Sequence, residues 1–290
     1  MMRKTRRPQA ETVDPLTTWK AVTELGKKVQ SGEITSMDQV FDSNYRILES
    51  EIVDTLLPGL HEDLLLIGQA KGKFGGGQRR IFRQTQKKTR EGNKIQFMTC
   101  AVIGNKNGYV GVATGKSKET VPARDKAKRK ARLNLIRVRR GSGSWESQAE
   151  DAHSIPFAVE GKCGSVRLQL MPAPRGKGLC IEKECAKILE LAGIKDIWSK
   201  TKGQTKTKLN LIHALMDALK KLSEVKIQPK HTASLHVTEG VLASQEPVIE
   251  EAPEEEVETE AEPTVPETTE EVPTQPEATE EAPKTSEIES

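Results

Sequence analysis

Lys94-Ile-Gln-Phe-Met-Thr-Cys-Ala-Val-Ile-Gly104-Asn-Lys-Asn-Gly108-Tyr-Val-Gly-Val-Ala-Thr114 reads as two strands joined at Asn107-Gly108, a dipeptide suited to a tight reversal. Residues 81–89 add an earlier strand, paired with residues 94–104 across Arg90-Glu91-Gly92-Asn93. A helix is expected over residues 121–138. There Ala127, Ala131, Leu135 and Val138 form one face, while Lys126, Lys128, Arg129, Lys130, Arg132 and Arg137 cover the rest. One face packs on the sheet and the other is open to phosphate.

Upstream lies a glycine-rich basic loop, Ala70-Lys71-Gly-Lys73-Phe-Gly-Gly-Gly-Gln-Arg79-Arg80. Before it, residues 15–31 and 36–57 read as helices, with Ile52, Val53, Leu56, Leu57 and Leu60 along one side and Pro58-Gly59 as punctuation. Downstream of Gly141-Ser-Gly-Ser144, Val166, Leu168 and Leu170 alternate with polar neighbours as a half-buried strand ended by residues 172–178. Ile181, Cys185, Ile188, Leu189 and Ala192 make one helical ladder closed by Gly193, and Leu211, Leu215, Ala218, Leu219 and Leu222 make another. The fold class is α+β. The expected division is a basic arm and helical extension at 1–48, a first domain at 49–140, a second at 141–228, and a linker with an acidic tail at 229–290.

The nominal charge of +3 over 290 residues conceals this division. Residues 246–290 hold 17 Glu against one Lys, with seven Pro and no aromatic residue, a composition expected to stay disordered. Residues 71–140 hold 21 Lys and Arg against 3 Asp and Glu. Two unit charges 4 Å apart repel by about 1 kcal/mol even in water, so such a segment calls for a polyanion. Nucleic acid is the expected partner, held through backbone phosphates rather than base edges.

Other classes find little support. The longest apolar run, Leu64-Leu-Leu-Ile67, is far short of the roughly 20 residues that span a bilayer. Arg3-Lys-Thr-Arg-Arg7 is followed by Pro8-Gln-Ala-Glu11 rather than an apolar segment, and reads as a flexible arm. Cys100, Cys163, Cys180 and Cys185 form no CxxC pair and read as reduced thiols suited to the cytoplasm. His61, His153, His213, His231 and His236 are scattered without zinc spacing, and no metal or cofactor is assigned. Cys185 and His213 are expected to pack in the core. No local pattern requires a Ser-His-Asp site. Gly111-Val-Ala-Thr-Gly115-Lys-Ser117 resembles a phosphate loop but has three residues between the glycines where four are needed. It leaves an RNA-dependent NTPase as the rival reading from another class, beside a free regulator that binds double-stranded RNA.

Six blocks at ordered intervals carry a resemblance: Ile103-Gly-Asn-Lys-Asn-Gly108-Tyr-Val-Gly111, Gly115-Lys-Ser-Lys118, Val138-Arg-Arg-Gly141, Gly161-Lys-Cys-Gly164-Ser165, Met171-Pro-Ala-Pro-Arg-Gly176 and Leu191-Ala-Gly-Ile-Lys-Asp196. Over about residues 15–228 the chain resembles universal ribosomal protein five of the small (30S) subunit, in its archaeal form. The resemblance implies a first domain like a double-stranded-RNA-binding module, α-β-β-β-α. The second domain, β-α-β-α, is of a kind found in RNA-associated ATP-handling proteins, without their nucleotide site. It implies a non-enzymatic structural role on small-subunit ribosomal RNA near the decoding centre and messenger entry channel, supporting translational accuracy. Implied partners are ribosomal proteins four and eight, with messenger RNA nearby, no membrane and no homo-oligomer. The acidic tail departs from the family pattern. The RNA-facing residues expected are Lys71, Lys73, Arg79, Arg80, Lys87, Lys88, Arg90, Lys94, Lys116, Lys118, Lys128, Arg129, Lys130, Arg132, Arg137, Arg139 and Arg140. By position, residues 88–94 match the loop reaching ribosomal RNA near the head-to-body neck. Residues 161–178, with Gly161, Lys162, Arg175 and Lys177, match the side facing protein four.

Overall fold

Residues 19–69, 79–147 and 151–240 are described by a computed structural model; the basic arm, Lys71 and Lys73 of the glycine-rich loop, and the acidic segment lie outside these residues. The chain divides into two units, residues 1–246 and 247–290, and every described residue belongs to the first.

Three short helices come first, α1 (Glu24–Gln30), α2 (Met37–Asp42) and α3 (Glu51–Leu56). The helix expected over 36–57 is therefore two helices with an extended passage between them. Its interruption is a helix-ending turn: Asn44 takes φ 52°, the Tyr45 N–H donates to Val40 O and the Asn44 N–H to Phe41 O. Asparagine tolerates the left-handed conformation that this C-terminal cap demands. Thr23 caps α1 by accepting from the Gly26 N–H at 3.1 Å, where a helix start at residue 15 was expected. Leu25, Met37, Val40, Ile52, Val53 and Leu57 gather into one apolar cluster that also holds Tyr109 and Leu135.

Five strands build an antiparallel sheet: β1 (His61–Leu65), β2 (Arg83–Thr89), β3 (Gly92–Gly104), β4 (Tyr109–Ser117) and, after helix α4 (Thr120–Leu133), β5 (Leu135–Arg137). Their order is β1-β3-β4-β5, and β2 also pairs with β3. The thirteen-residue β3 carries β1 against its residues 100–104 and β2 against residues 92–98. Alternation sorts the two faces. Cys100, Val102, Val110 and Val112 enter the largest core cluster, whereas Ala101 and Ile103 join Ala127 and Ala131 of α4.

α4 is shorter than expected, ending at Asn134, whose Nδ2 donates to Val112 O at 2.8 Å. Leu135 lies on a strand and Val138 beyond it, because Leu135 to Arg137 pair with Tyr109 to Gly111. Small residues decide how closely α4 approaches β4. A Cβ at Gly115 would stand 2.5 Å from Ala127 N and nearer still to Ala123 O, and one at Gly111 would strike Ala131 O.

The two-residue β6 (Arg139–Arg140) leads to a second sheet of β7 (Val159–Cys163), β8 (Val166–Pro172), β9 (Leu179–Cys180) and β10 (Ile197–Lys202), ordered β7-β8-β10-β9. Helices α5 (Lys183–Leu191) and α6 (Lys208–Glu224) bury Ile188, Leu189, Leu211, Leu215 and Leu219 against Val166, Leu168 and Leu170. The short helix α7 (Pro229–Ser234) and β11 (Thr238–Glu239) follow, and β11 pairs with β6.

Candidate nucleic-acid interface

The hairpin of β2 with the first half of β3 is a ribbon whose two faces both meet solvent. Every residue from 83 to 96 is exposed except half-buried Thr89. Seven register pairs run from Arg83↔Met98 to Thr89↔Gly92, about 23 Å of strand at ~3.4 Å per residue. Lys87 lies directly opposite Lys94 and Lys88 opposite Asn93. Like charges across a strand pair destabilise it, and a two-stranded ribbon is marginal by itself. The Lys94–Glu91 pair at 2.7 Å relieves part of this repulsion, and Arg83, Lys87, Lys88 and Arg90 enter no ion pair among the described residues. The ribbon's base is firmer, with Phe82 edge-on to Phe97 and the Arg124 guanidinium 4.8 Å over the Phe82 ring.

Two further groups of exposed cations accompany it. Lys116 and Lys118 stand at and beyond the end of β4, and Lys126, Arg129 and Lys130 occupy the outer face of α4. Arg80 is exposed and Arg79 half-buried. Lys126, read above on the face of α4 open to phosphate, belongs with these, and so does Arg83, which the sequence reading did not single out; exposure along β2 is the signal that finds it.

Other expected residues turn inward. Lys128 pairs with Glu62 at 2.6 Å, and Arg132 bridges Asp54 and Glu62, each at 2.7 Å. Burial holds the Asp54 carboxyl above its ordinary range although Arg132 draws it down. Arg137 meets Asp42 at 2.9 Å, Asp38 at 3.4 Å and Glu239 at 3.4 Å. Tyr109 also donates to Asp38, and burial reinforced by that carboxylate raises the phenol. Arg139 is buried, with Nε donating to Glu239 at 2.5 Å and Nη1 to Leu222 O at 3.0 Å. Arg140 is buried as well, with Nη2 donating to Asn107 Oδ1 and Gly240 O. The structure thus gathers the hairpin and outer-α4 cations at the surface and places Arg132, Arg137, Arg139 and Arg140 in contacts within the chain.

At the other expected face, Lys162, Arg175 and Lys177 are exposed. Gly161 is buried: a Cβ there would strike Ala214 O and lie 2.6 Å from Ala218 N, so its bareness serves the seating of α6 on β7.

The stretch from Gly111 to Ser117 is strand throughout, with Gly111 opposite Ile103 and Ser117 opposite Phe97. Its amides lie in a ladder where a phosphate loop would present them to a ligand. Its glycines serve the approach of α4. A buried chain of groups does run from Ser147 Oγ to His153 Nε2 at 3.1 Å and from His153 Nδ1 to Asp196 Oδ2 at 2.9 Å. Asp196 also accepts from the Gly178 N–H at 2.7 Å, and its carbonyl accepts from Ser154 Oγ at 2.5 Å. This network ties the segment after the Gly141-Ser142 link to the start of β10. Cys185 is in the core as expected, its thiol pushed up to about 12 by burial, whereas His213 stands on the exposed side of α6. Among the described residues no three His, Cys, Asp or Glu side chains converge to hold a metal, and no helix is long and apolar enough to cross a membrane.

Known families match this architecture in its two halves. The family described as ribosomal protein S5, N-terminal domain, matches residues 81–139, and ribosomal protein S5, C-terminal domain, matches residues 161–231. Among curated relatives, small ribosomal subunit protein uS5 of Nanoarchaeum equitans is 47% identical over 222 residues, covering 77% of this chain and 95% of the relative. That of Methanocaldococcus jannaschii is 42% identical over 222 residues, again 77% of this chain and 95% of the relative. That of Pyrobaculum aerophilum is 43% identical over 216 residues, with 74% and 92% covered.

Proposed function

The chain belongs to the uS5 family of small ribosomal subunit proteins, in its archaeal type, and is a structural, non-enzymatic constituent of that subunit; from that premise we propose that it works by neutralising and pinning converging ribosomal RNA helices near the decoding centre and messenger entry channel of a cytoplasmic ribosome, and so supports accurate decoding. The observation that carries this reading is the solvent-exposed ribbon with lysine opposite lysine, a feature that an anion stabilises and that the described residues compensate only in part, through Glu91. α3, the antiparallel sheet and α4 on one of its faces favour a double-stranded-RNA-binding-like module over residues 49–140, followed by a second domain over residues 141–228. Lys162, Arg175 and Lys177 would then face ribosomal protein four, with protein eight as a second neighbour.

The test is salt-dependent binding of a ribosomal RNA fragment to the full chain. Replacing Lys87, Lys88, Arg90 and Lys94 with glutamine should lower the log-log slope by roughly 0.7 to 0.9 for each phosphate that is no longer neutralised. The same variant should enter small subunits poorly in co-sedimentation. An unchanged slope and normal incorporation would remove the hairpin from the interface. Recovery of the unaltered chain in the supernatant after ribosomes are pelleted would favour a free RNA-binding regulator.

A further inference from the structure

The neighbouring arginines of β6 have opposite surroundings. Arg139 has Glu239 as its countercharge. Arg140 is only 3% exposed and faces no carboxylate among the described residues. Its Nη2 has two neutral acceptors, Asn107 Oδ1 at 2.9 Å and Gly240 O at 3.0 Å, while its Nε is sealed from solvent without an acceptor. Burial without a countercharge draws its pKa down. A buried cation in this condition is costly.

Arg140 lines a cavity of about 1020 Å3. Lys106 and Lys195 stand at its mouth, exposed and in no ion pair among the described residues. Of the acidic groups lining the same space, Asp196 is taken by His153 and Asp151 by Arg175 at 3.5 Å, which leaves Glu190. Gly193 has φ 84°, and a Cβ there would strike Lys106 O and stand 3.0 Å from Arg140 Nη1, so its bareness lets the Lys106 backbone and the guanidinium lie close together at this wall of the cavity. Three described residues other than glycine have positive φ, and two of them border this cavity: Lys106 at 59° and His236 at 46°. Backbone held in that region tends to mark binding sites.

We propose that this cavity binds a phosphate group, with Arg140 as the central cation and Lys106 and Lys195 at the entrance. A planar guanidinium fork matches a phosphate's oxygens. The space also admits the sugar and base attached to that phosphate. The same chemistry has two sources, a strand of RNA and a free nucleotide. The site stands apart from the hairpin and rests on the ribosomal reading only where RNA is the source.

The experiment follows the Arg140 Nε–Hε signal by NMR in the full chain in phosphate-free buffer, assigned with Arg140→Lys. The titrants are inorganic phosphate, AMP, adenosine and a ten-nucleotide RNA. Saturable movement with phosphate and AMP, absent with adenosine, supports the site with a free-phosphate source. Movement with RNA alone supports it with a phosphodiester source. Lys106→Asn with Lys195→Gln, both on exposed residues, should weaken binding roughly five-fold with the fold intact. The proposal is overturned if no titrant moves the signal, if adenosine moves it equally, or if the double variant binds undiminished. Silence at Arg140 while RNA still binds the hairpin sinks this site alone. Movement at Arg140 without any hairpin-dependent RNA binding sinks the hairpin reading alone.

Discussion

Replacing Gly115 with alanine adds one methyl group to the face of β4 that α4 covers. The new carbon would stand 2.5 Å from Ala127 N, 3.0 Å from Ala127 Cα and closer still to Ala123 O. All three atoms are backbone, so no side chain can swing aside, and α4 must retreat by about 1 Å to restore van der Waals contact. That retreat carries Ala123 away from Thr99, whose buried Oγ1 donates to Ala123 O at 2.9 Å. Overpacking costs about 1–3 kcal/mol and a stranded hydroxyl about 1–3 kcal/mol. Removing a strand glycine returns roughly 0.5–1 kcal/mol of chain entropy. The net expectation is a loss of about 1–5 kcal/mol, centred near 3, which corresponds to a fall in melting temperature of roughly 6–12 °C for a unit of this size. Calorimetry on the full chain at several scan rates measures it, with Lys116→Ala as the neighbouring exposed control, expected within about 0.5 kcal/mol of the parent. A Gly115→Ala protein as stable as the parent would refute the argument that these glycines exist for helix approach.

The cations of α4 should divide by their surroundings. Replacing Lys126, Arg129 and Lys130 with alanine lowers the salt slope of RNA binding and leaves the melting temperature nearly unchanged, whereas Arg132→Ala, which strands Asp54 and leaves Glu62 to Lys128, costs about 1–3 kcal/mol and moves the slope little; the reverse pattern would refute the assignment. A thiol reagent at pH 8 should titrate two cysteines, Cys163 and Cys180, in the native chain, because burial pushes Cys100 and Cys185 up to about 12; four fast-reacting thiols would contradict that packing. Burial raises the Glu49 carboxyl, but hydrogen bonds from Thr23, Trp19 and Val22 outweigh it and hold the group below its ordinary value of 4.5. Its folded-state pKa being the lower one, its stabilisation is complete above about pH 4.5 and is lost as pH falls through the depressed value. Acid unfolding of Glu49→Gln followed by tryptophan fluorescence should lack that loss, and identical acid profiles would refute it.

The sheet was legible where residue type and turn chemistry agreed. Asn107-Gly108 turns the chain as read, with Gly108 at φ 99°, and residues 92–104 and 109–117 pair around it. Among the strands that escaped reading, β1 and β10 carry polar runs, His61-Glu-Asp63 and Ser199-Lys-Thr-Lys202. Each gives the core only one end, Leu65 in β1 and Ile197 in β10, and spends the rest on ion pairs and solvent, so no alternation announces them. The overlong α4 had a different cause. Leu135 and Val138 continue a helical spacing from Ala131, yet they belong to the return of the chain onto β4, and tertiary pairing overrode the local period. Asn44 shows the converse case, a single residue whose left-handed tolerance ends α2 inside a run that periodicity alone would carry onward.

The charge of the basic segment was equally legible as a sum and illegible as a distribution. Its excess of cations is counted along the chain, but Coulomb's law acts across space, and folding brings acids from elsewhere. Asp38 and Asp42 come from α2 of the helical extension, Asp54 from α3, Glu62 from β1 and Glu239 from β11. Together they take up Lys128, Arg132, Arg137 and Arg139. Those arginines hold the extension and the last strand to the sheet, which is why their removal should register in stability before it registers in RNA affinity. Among the described residues the acids scarcely reach the ribbon, where Glu91 pairs with Lys94 and Arg83, Lys87, Lys88 and Arg90 enter no ion pair. The free energy that an anion can still gain is therefore concentrated at the far end of one hairpin and along one helix face, and a phosphate backbone crossing both would recover more of it than any equal charge spread over the unit.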